Sequence, residues 1–459
     1  MAKKPNFLFI MTDQQRWDTV GRAKPENLNV PNLDRLVREG CNFTNTFCQG
    51  PICIPSRASF LTGKYVHQHR LFHNNGMLPD YETTWADILK QNGYLTLAIG
   101  RTHTIHKGFT HIKVPIKDSY LEMPAQLNQH QQWVYDHDQC ATYPGKEDFI
   151  EFRRTQAACD FLHDLKDTAQ PFAMFMGYCA PHNPYIIPEC YDTMYQDTDF
   201  PPPKVFEEDF SQLDYNNHQK KFYDKMQTVN PQKTRRYYYA MVSMIDECLG
   251  RLLDTLEKLK LLENTIIIFT SDHGEMLGDH ARYAKGCLYE EAVKIPLVIM
   301  NKDLVKPGIT SPELVESIDL FPTILDYADI KPVNIEYNCR GKSLQGLLEG
   351  NDRTHKDAVF SQLADWMMIR TKEWKLSYGY TDGNPYFPAP ESNKGVLFDL
   401  VRDPDERFNR YDEAGYKDVT CKLLQRLLDF FVNEKIPLHK QIPAIAFENM
   451  DEPNIMHLL

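Results

Sequence analysis

The sequence predicts an α/β fold: a large mixed, mostly parallel sheet sandwiched by helices, with a smaller C-terminal α+β subdomain. Three observations carry this. Apolar runs of strand length alternate with amphipathic stretches through the first two-thirds of the chain, the pattern of a sheet covered on both faces. Phe7–Met11 and Thr265–Phe269 are apolar runs, as strands buried on both sides are. From about Phe360 the texture changes to short alternating segments and one amphipathic helix. At 459 residues the chain exceeds what one core usually supports. The expected division is therefore a main domain over 1–360, a subdomain over 361–436 and a tail over 437–459 lying on the main domain or on a neighbouring subunit.

Taken in order, Phe7–Met11 is a buried strand, and Pro31–Glu39 is a helix with Leu33, Leu36 and Val37 inward, stopped by Gly40. Thr84 caps a second helix that ends at Asn92 and Gly93, and Tyr94–Ile99 is the next strand. Phe172–Met176 is another. The 3/4 spacing from Tyr238 through Met241, Ile245, Leu249 and Leu252 to Leu256 predicts a long helix over Arg235–Leu259. Strands at Thr265–Phe269 and Pro296–Met300 follow. Between these, Thr104–Gln170 and Pro188–Thr234 are expected to be loops and short helices over the sheet. In the subdomain, Met367–Arg370 and Trp374–Tyr378 form a hairpin, Val396–Leu400 a third strand, and Val419–Asn433 a helix.

Composition narrows the function. A net charge of −12 argues against general attraction to nucleic acid, though a few placed cations suffice for a small anion. No stretch approaches a membrane span, so no membrane partner is expected. Met1–Pro5 runs straight into the first strand, without the apolar stretch of a secretion signal. Eleven cysteines, irregularly spaced and without a C-x-x-C pair, do not read as a disulfide framework; a cytoplasmic location is the expectation.

The chemistry lies at the strand ends. Thr12 and Asp13 follow the first strand, and Gly100-Arg101-Thr102-His103 follows Tyr94–Ile99. Ala180-Pro181-His182 comes shortly after Phe172–Met176, and Ser271-Asp272-His273-Gly274-Glu275 after Thr265–Phe269. In open α/β sheets ligands bind outside the carboxyl ends of the strands, so these residues converge on one rim. Two aspartates, a histidine and one more donor suit a divalent cation. Alone, Asp13 reads equally well as a helix cap, and His273 as a donor to a carbonyl. Cys53-Ile54-Pro55-Ser56-Arg57, closed by Leu61-Thr62-Gly63, adds a thiol just ahead of a helix start. A plain buried cysteine is the ordinary alternative.

That segment resembles the signature of the sulfatase family, within the alkaline-phosphatase-like superfamily. The resemblance extends to Asp13, Val30–Leu36, Gly100–His103, Ala180–His182, Ser271–Glu275, Lys285-Gly286 and, late in the chain, Leu397–Leu400 with Asp403–Glu406. It implies that Cys53 is oxidised by a formylglycine-generating enzyme to formylglycine, whose hydrate is the nucleophile. A diol oxygen acidified by a cation can attack a sulfate ester. The second hydroxyl then lets the hemiacetal sulfate collapse by C–O cleavage. The resemblance further assigns Asp13, Cys53, Asp272 and His273 to the metal, Ca²⁺ first, with Mn²⁺ or Mg²⁺ as alternatives. Arg57 orients the diol, Arg101 contacts diol and sulfuryl oxygens, and His103 takes the proton for hemiacetal breakdown. His182 and Lys285 bind sulfate, and one of them protonates the leaving oxygen.

Two departures stand out. Gln14 replaces a second aspartate, leaving a fifth metal ligand open, and Arg101 stands where many members carry lysine. The Asp-Gln and Asp-His pairs also resemble phosphonate monoester hydrolases and choline sulfatases. Among His67, His69, His73, Asn74 and Asn75, the last is the preferred direct substrate contact. His103 and His106 as a zinc pair are set aside because His103 already has a role. The expected activity is hydrolysis of a small anionic sulfate ester, a sulfated carbohydrate by preference. The alternatives are a phosphonate monoester or phosphodiester hydrolase with the same nucleophile, and a non-catalytic binding protein on the same fold. A homo-oligomer is left open.

Overall fold

The computed structural model describes residues 4–103, 107–113, 140–166, 168–211, 223–224, 230–331, 339–363, 366–379 and 395–433. The main sheet contains β1 (Asn6–Asp13), β2 (Cys41–Phe47), β3 (Leu95–Gly100), β4 (His111–Lys113), β6 (Phe172–Pro181), β8 (Thr265–Ser271), β9 (Lys294–Met300) and β10 (Ile309–Glu316). Its spatial order is β10-β2-β9-β8-β1-β6-β3-β4. All pairs are parallel except those of β9 with β2 and β8, so seven strands end at one rim while β9 begins there. β5 (Cys140–Tyr143) and β7 (Tyr185–Pro188) form a small parallel pair beside it. The mostly parallel sheet expected from the sequence is therefore present.

Alternation along β1 explains the sandwich. Leu8 and Ile10 point into one core, shared with α1 (Pro31–Glu39), α4 (Ile150–Leu165) and α5 (Pro231–Lys258). Phe7, Phe9 and Met11 point into the other, shared with α2 (Cys53–Thr62), α3 (Trp85–Gln91) and α6 (Leu320–Tyr327). A central strand with apolar side chains on both faces can sit only between two layers. Thr84 caps α3 as expected, in a reciprocal pair with Asp87.

Several segments differ from expectation. The long helix begins four residues early, at Pro231, where a proline suits the first turn. Within Thr104–Gln170, expected to be loops and short helices, α4 is a regular helix of 16 residues. β2 and β10 were not foreseen. The C-terminal sheet has four antiparallel strands, β11 (Ala358–Leu363), β12 (Trp366–Thr371), β13 (Trp374–Gly379) and β14 (Gly395–Asp399), and α7 (Lys417–Asn433) packs on it. β11 straddles the expected 360/361 boundary, so the small sheet starts before it. The tail 437–459 and His106 lie outside the described residues. Among the described residues no helix is long and apolar enough to cross a membrane.

Candidate active site

Cys53 is the first residue of α2, a helix buried along all ten residues because it is wedged between the sheet rim and its surroundings. No side chain caps its start at Ile52. The Ile54 N–H instead donates to Asn74 Oδ1 at 3.0 Å. The helix stops at Gly63, whose φ of 68° is left-handed and whose added Cβ would strike Cys339 and Phe321. With both ends fixed, the Cys53 side chain is aimed at the rim.

There it meets residues from three strands. Cys53 Sγ lies 3.7 Å from Asp13 Oδ1, at the end of β1, and 3.3 Å from His273 Nε2, just after β8. His273 Nε2 is also 3.7 Å from Asp13 Oδ1 and 3.5 Å from Asp272 Oδ1. Its Nδ1–H donates to the Gly274 carbonyl at 3.0 Å, which leaves the Nε2 lone pair facing the carboxylates. Gly274 has to be glycine, since a Cβ there would run into the Glu291 carbonyl. One ligand atom each from Asp13, Cys53, His103 and Asp272 falls within 4.8 Å of the others, so the structure adds His103 to the residues expected around a cation.

Arg57, one turn along α2 and fully buried, braces the two carboxylates. Its Nε donates to Asp272 Oδ2 at 2.8 Å and its Nη2 to Asp13 Oδ2 at 3.1 Å, while Nη1 reaches the Arg101 carbonyl at 2.6 Å. Arg101 Nε sits 3.0 Å from Asp13 Oδ2 and 2.9 Å from His103 Nε2. Burial alone would raise Asp13, yet the guanidiniums of Arg101 and Arg57 hold its carboxyl well below the usual range.

A second group faces the first across the rim. His182 follows β6, and its Nδ1 bonds the Asn183 carbonyl, so Nε2 is free to accept from Lys285 Nζ at 2.7 Å. Burial, helped by Lys285 and Arg101, pushes His182 well below its ordinary range and keeps the ring neutral. Lys285 Nζ also donates to Gln14 Oε1 at 2.5 Å. Gln14, at a left-handed φ of 72°, turns its amide nitrogen to Glu275 Oε2. Glu275 Oε1 in turn accepts from the Ala284 N–H at 2.7 Å, next to Lys285. Gln14, Glu275 and the Lys285 loop therefore close a ring that fixes which way the Gln14 amide points.

The structure thus brings together Asp13, Cys53, Arg57, Arg101, His103, His182, Asp272, His273 and Lys285. Asn75 is exposed, and its neighbour Asn74 is the residue that reaches α2. His69 turns inward to Ser59 Oγ at 2.9 Å and is not at the rim cluster described here. The ring role of Glu275 was not read from the sequence, although the residue stood in the motif; only its contacts give it meaning.

The sulfatase family matches this chain over residues 5–330, and the C-terminal family of N-sulphoglucosamine sulphohydrolase matches residues 278–433. An arylsulfatase of Clostridium perfringens is 29% identical, over 90% of this chain and 92% of its own length. An N-acetylglucosamine-6-O-sulfatase of Bacteroides thetaiotaomicron is 26% identical, over 93% of this chain and 86% of its own. Among solved structures, a phosphonate monoester hydrolase of Silicibacter pomeroyi superposes with a TM-score of 0.80 at 22% identity, covering 94% of this chain and 96% of that one. The chain belongs to the sulfatase family. It is a sulfuric ester hydrolase on the alkaline-phosphatase-like fold.

Proposed function

We propose that the enzyme hydrolyses a sulfated carbohydrate with formylglycine made from Cys53, beside one divalent cation. The observation that carries this is the placement of Cys53 Sγ, 3.7 Å from Asp13 Oδ1 and 3.3 Å from His273 Nε2 at a helix start. The donor set fits a cation: two carboxylates each turn one oxygen inward, an imidazole lone pair joins them, and all are buried. Asp13, Asp272, His273 and the modified Cys53 would hold it, Ca²⁺ by preference and Mn²⁺ or Mg²⁺ otherwise, with His103 alongside. When bound, the cation and the formylglycine hydrate supply an acidified oxygen for attack on sulfur and a second hydroxyl for release of sulfate.

The chain's own residues do the rest. Arg57 holds the two aspartates apart and in register. Arg101 cannot give up a proton at neutral pH, but its guanidinium grips an oxyanion through parallel hydrogen bonds. His103, whose Nε2 accepts from Arg101 at 2.9 Å, is the base for the release step. His182 is kept neutral by burial and accepts from Lys285, so the proton for the leaving oxygen comes from Lys285. The sugar preference rests on the names of relatives, including the N-acetylglucosamine-6-O-sulfatase.

Phosphonate monoester hydrolysis is the second reading, favoured by Gln14 directly after Asp13. The ratio of kcat/KM for an aryl sulfate and an aryl phosphonate monoester separates the two. Mass analysis of the peptide carrying Cys53, from a host with a formylglycine-generating enzyme, tests the nucleophile. Conversion exchanges sulfur and two hydrogens for one oxygen. A peptide that instead alkylates fully as a thiol would support the non-catalytic reading.

A further inference from the structure

The end of β6 is irregular in a way the ladder does not explain. β1 pairs Met11 with Gly177 and then Asp13 with Pro181, so β6 takes four steps where β1 takes two. On the other side β3 pairs only as far as Gly100 with Gly177. Tyr178, Cys179 and Ala180 therefore bulge out of register just before Pro181 and His182. Buried N–H groups leaving a ladder need other partners.

α4 supplies them. Glu151, fully buried, accepts from the Cys179 N–H at 2.8 Å and the Ala180 N–H at 2.9 Å through one oxygen. Its other oxygen accepts from Arg154 Nη1 at 3.1 Å, and the same nitrogen lies 3.1 Å from Cys179 Sγ. Thr155 Oγ1 bonds the Tyr178 hydroxyl at 2.8 Å. The bulge then turns back on itself, with the His182 N–H donating to the Cys179 carbonyl at 3.0 Å.

We infer that Glu151 is a positioning residue for sulfate ester hydrolysis: by holding the two bulge amides it sets His182 against Lys285. A carboxylate taken wholly out of water is costly unless paired and bonded. Here it accepts from two backbone amides, those of Cys179 and Ala180, and from one guanidinium that also reaches Cys179. The inference rests on the sulfate-binding role proposed for His182.

The test is a double-mutant cycle on the formylglycine-bearing, metal-loaded enzyme, with kcat/KM for 4-nitrophenyl sulfate normalised to aldehyde content. Glu151→Gln is expected to lower kcat/KM by about ten- to a hundredfold, the range for a small misplacement remote from the reacting atoms. In the His182→Ala background the same change should cost almost nothing, which a merely stabilising role would not produce. If Glu151→Gln does not fold, Thr155→Val loosens the same bulge and should show a smaller loss with the same dependence on His182. A slow His182→Ala enzyme with additive losses would overturn the inference alone. A His182→Ala enzyme at wild-type rate would overturn the role given to His182 and the inference with it.

Discussion

Two buried ionic clusters in this molecule are built from the same kinds of residue and do different things. At the rim, Asp13 and Asp272 are braced by Arg57 and Arg101, and each keeps one oxygen turned toward Cys53 and His273. Under the small sheet, Lys375 Nζ forms ion pairs with Glu290 Oε1 at 2.9 Å and Glu406 Oε1 at 2.5 Å and donates to the Leu288 carbonyl at 3.0 Å. Two carboxylates and a carbonyl thus surround this one buried ammonium. Lys285, by contrast, meets Gln14 and His182. Burial and charge pairing alone do not make a site. What distinguishes the rim is that its acceptor atoms converge on a shared point, whereas the second cluster is closed on itself.

Four perturbations sharpen that contrast. Cys53→Ala should abolish turnover of an aryl sulfate, by at least about a thousandfold, the scale for losing a nucleophile. Its melting temperature should stay near wild type, and retained activity would refute the assignment. Lys285→Ala should lower kcat by about a hundredfold or more for poor leaving groups, as loss of a general acid does, and far less for good ones. Equal losses across a leaving-group series would remove Lys285 as the acid. Lys375→Met should do the reverse, costing about 3 kcal/mol of stability by stranding two buried carboxylates. Urea unfolding reads that loss, and kcat/KM per folded molecule should change little.

The smallest effect is one of pH. Burial, opposed by Lys375 and reinforced by Glu290 and Glu291, pushes the Glu406 carboxyl up to about 7. A carboxyl raised on folding stabilises fully below its unfolded pKa, and that contribution is lost as pH rises through the folded value. Wild-type stability should therefore fall relative to Glu406→Gln between about pH 4.5 and 7, by about 1–3 kcal/mol. Chemical denaturation at pH 5 and 8 measures it; identical slopes would show that Lys375 keeps Glu406 ionised throughout.

Much of this was legible in the sequence because Asp13, Arg101, His182, Asp272 and His273 sit at or next to the ends of buried strands. β1 and β8 carry apolar side chains on both faces, so Asp13 and Asp272 could be placed at a rim before any coordinates. β2 could not be read that way: Cys-Asn-Phe-Thr-Asn-Thr-Phe has no apolar run, and Asn42 and Thr46 are nonetheless buried. β10 was hidden by Pro312, which an edge strand tolerates. α4 was missed because Glu151 and Arg154 interrupt its buried face with charges, and those charges serve the β6 bulge rather than the core. Loop polarity gives Asn74 and Asn75 no separate directions in the sequence; the bond to the Ile54 N–H is what distinguishes Asn74.

One apolar cluster joins Phe47, Met276, Tyr289 and Val293 of the main sheet's surroundings to Val359, Met368, Val396 and Phe398 of the small sheet. Cutting the chain anywhere near residue 350 would leave both fragments with a wet, unfinished interior. The two sheets should accordingly melt in a single cooperative transition, and the C-terminal quarter cannot be exchanged like a detachable module. Any graft from a relative would have to bring the facing surface with it.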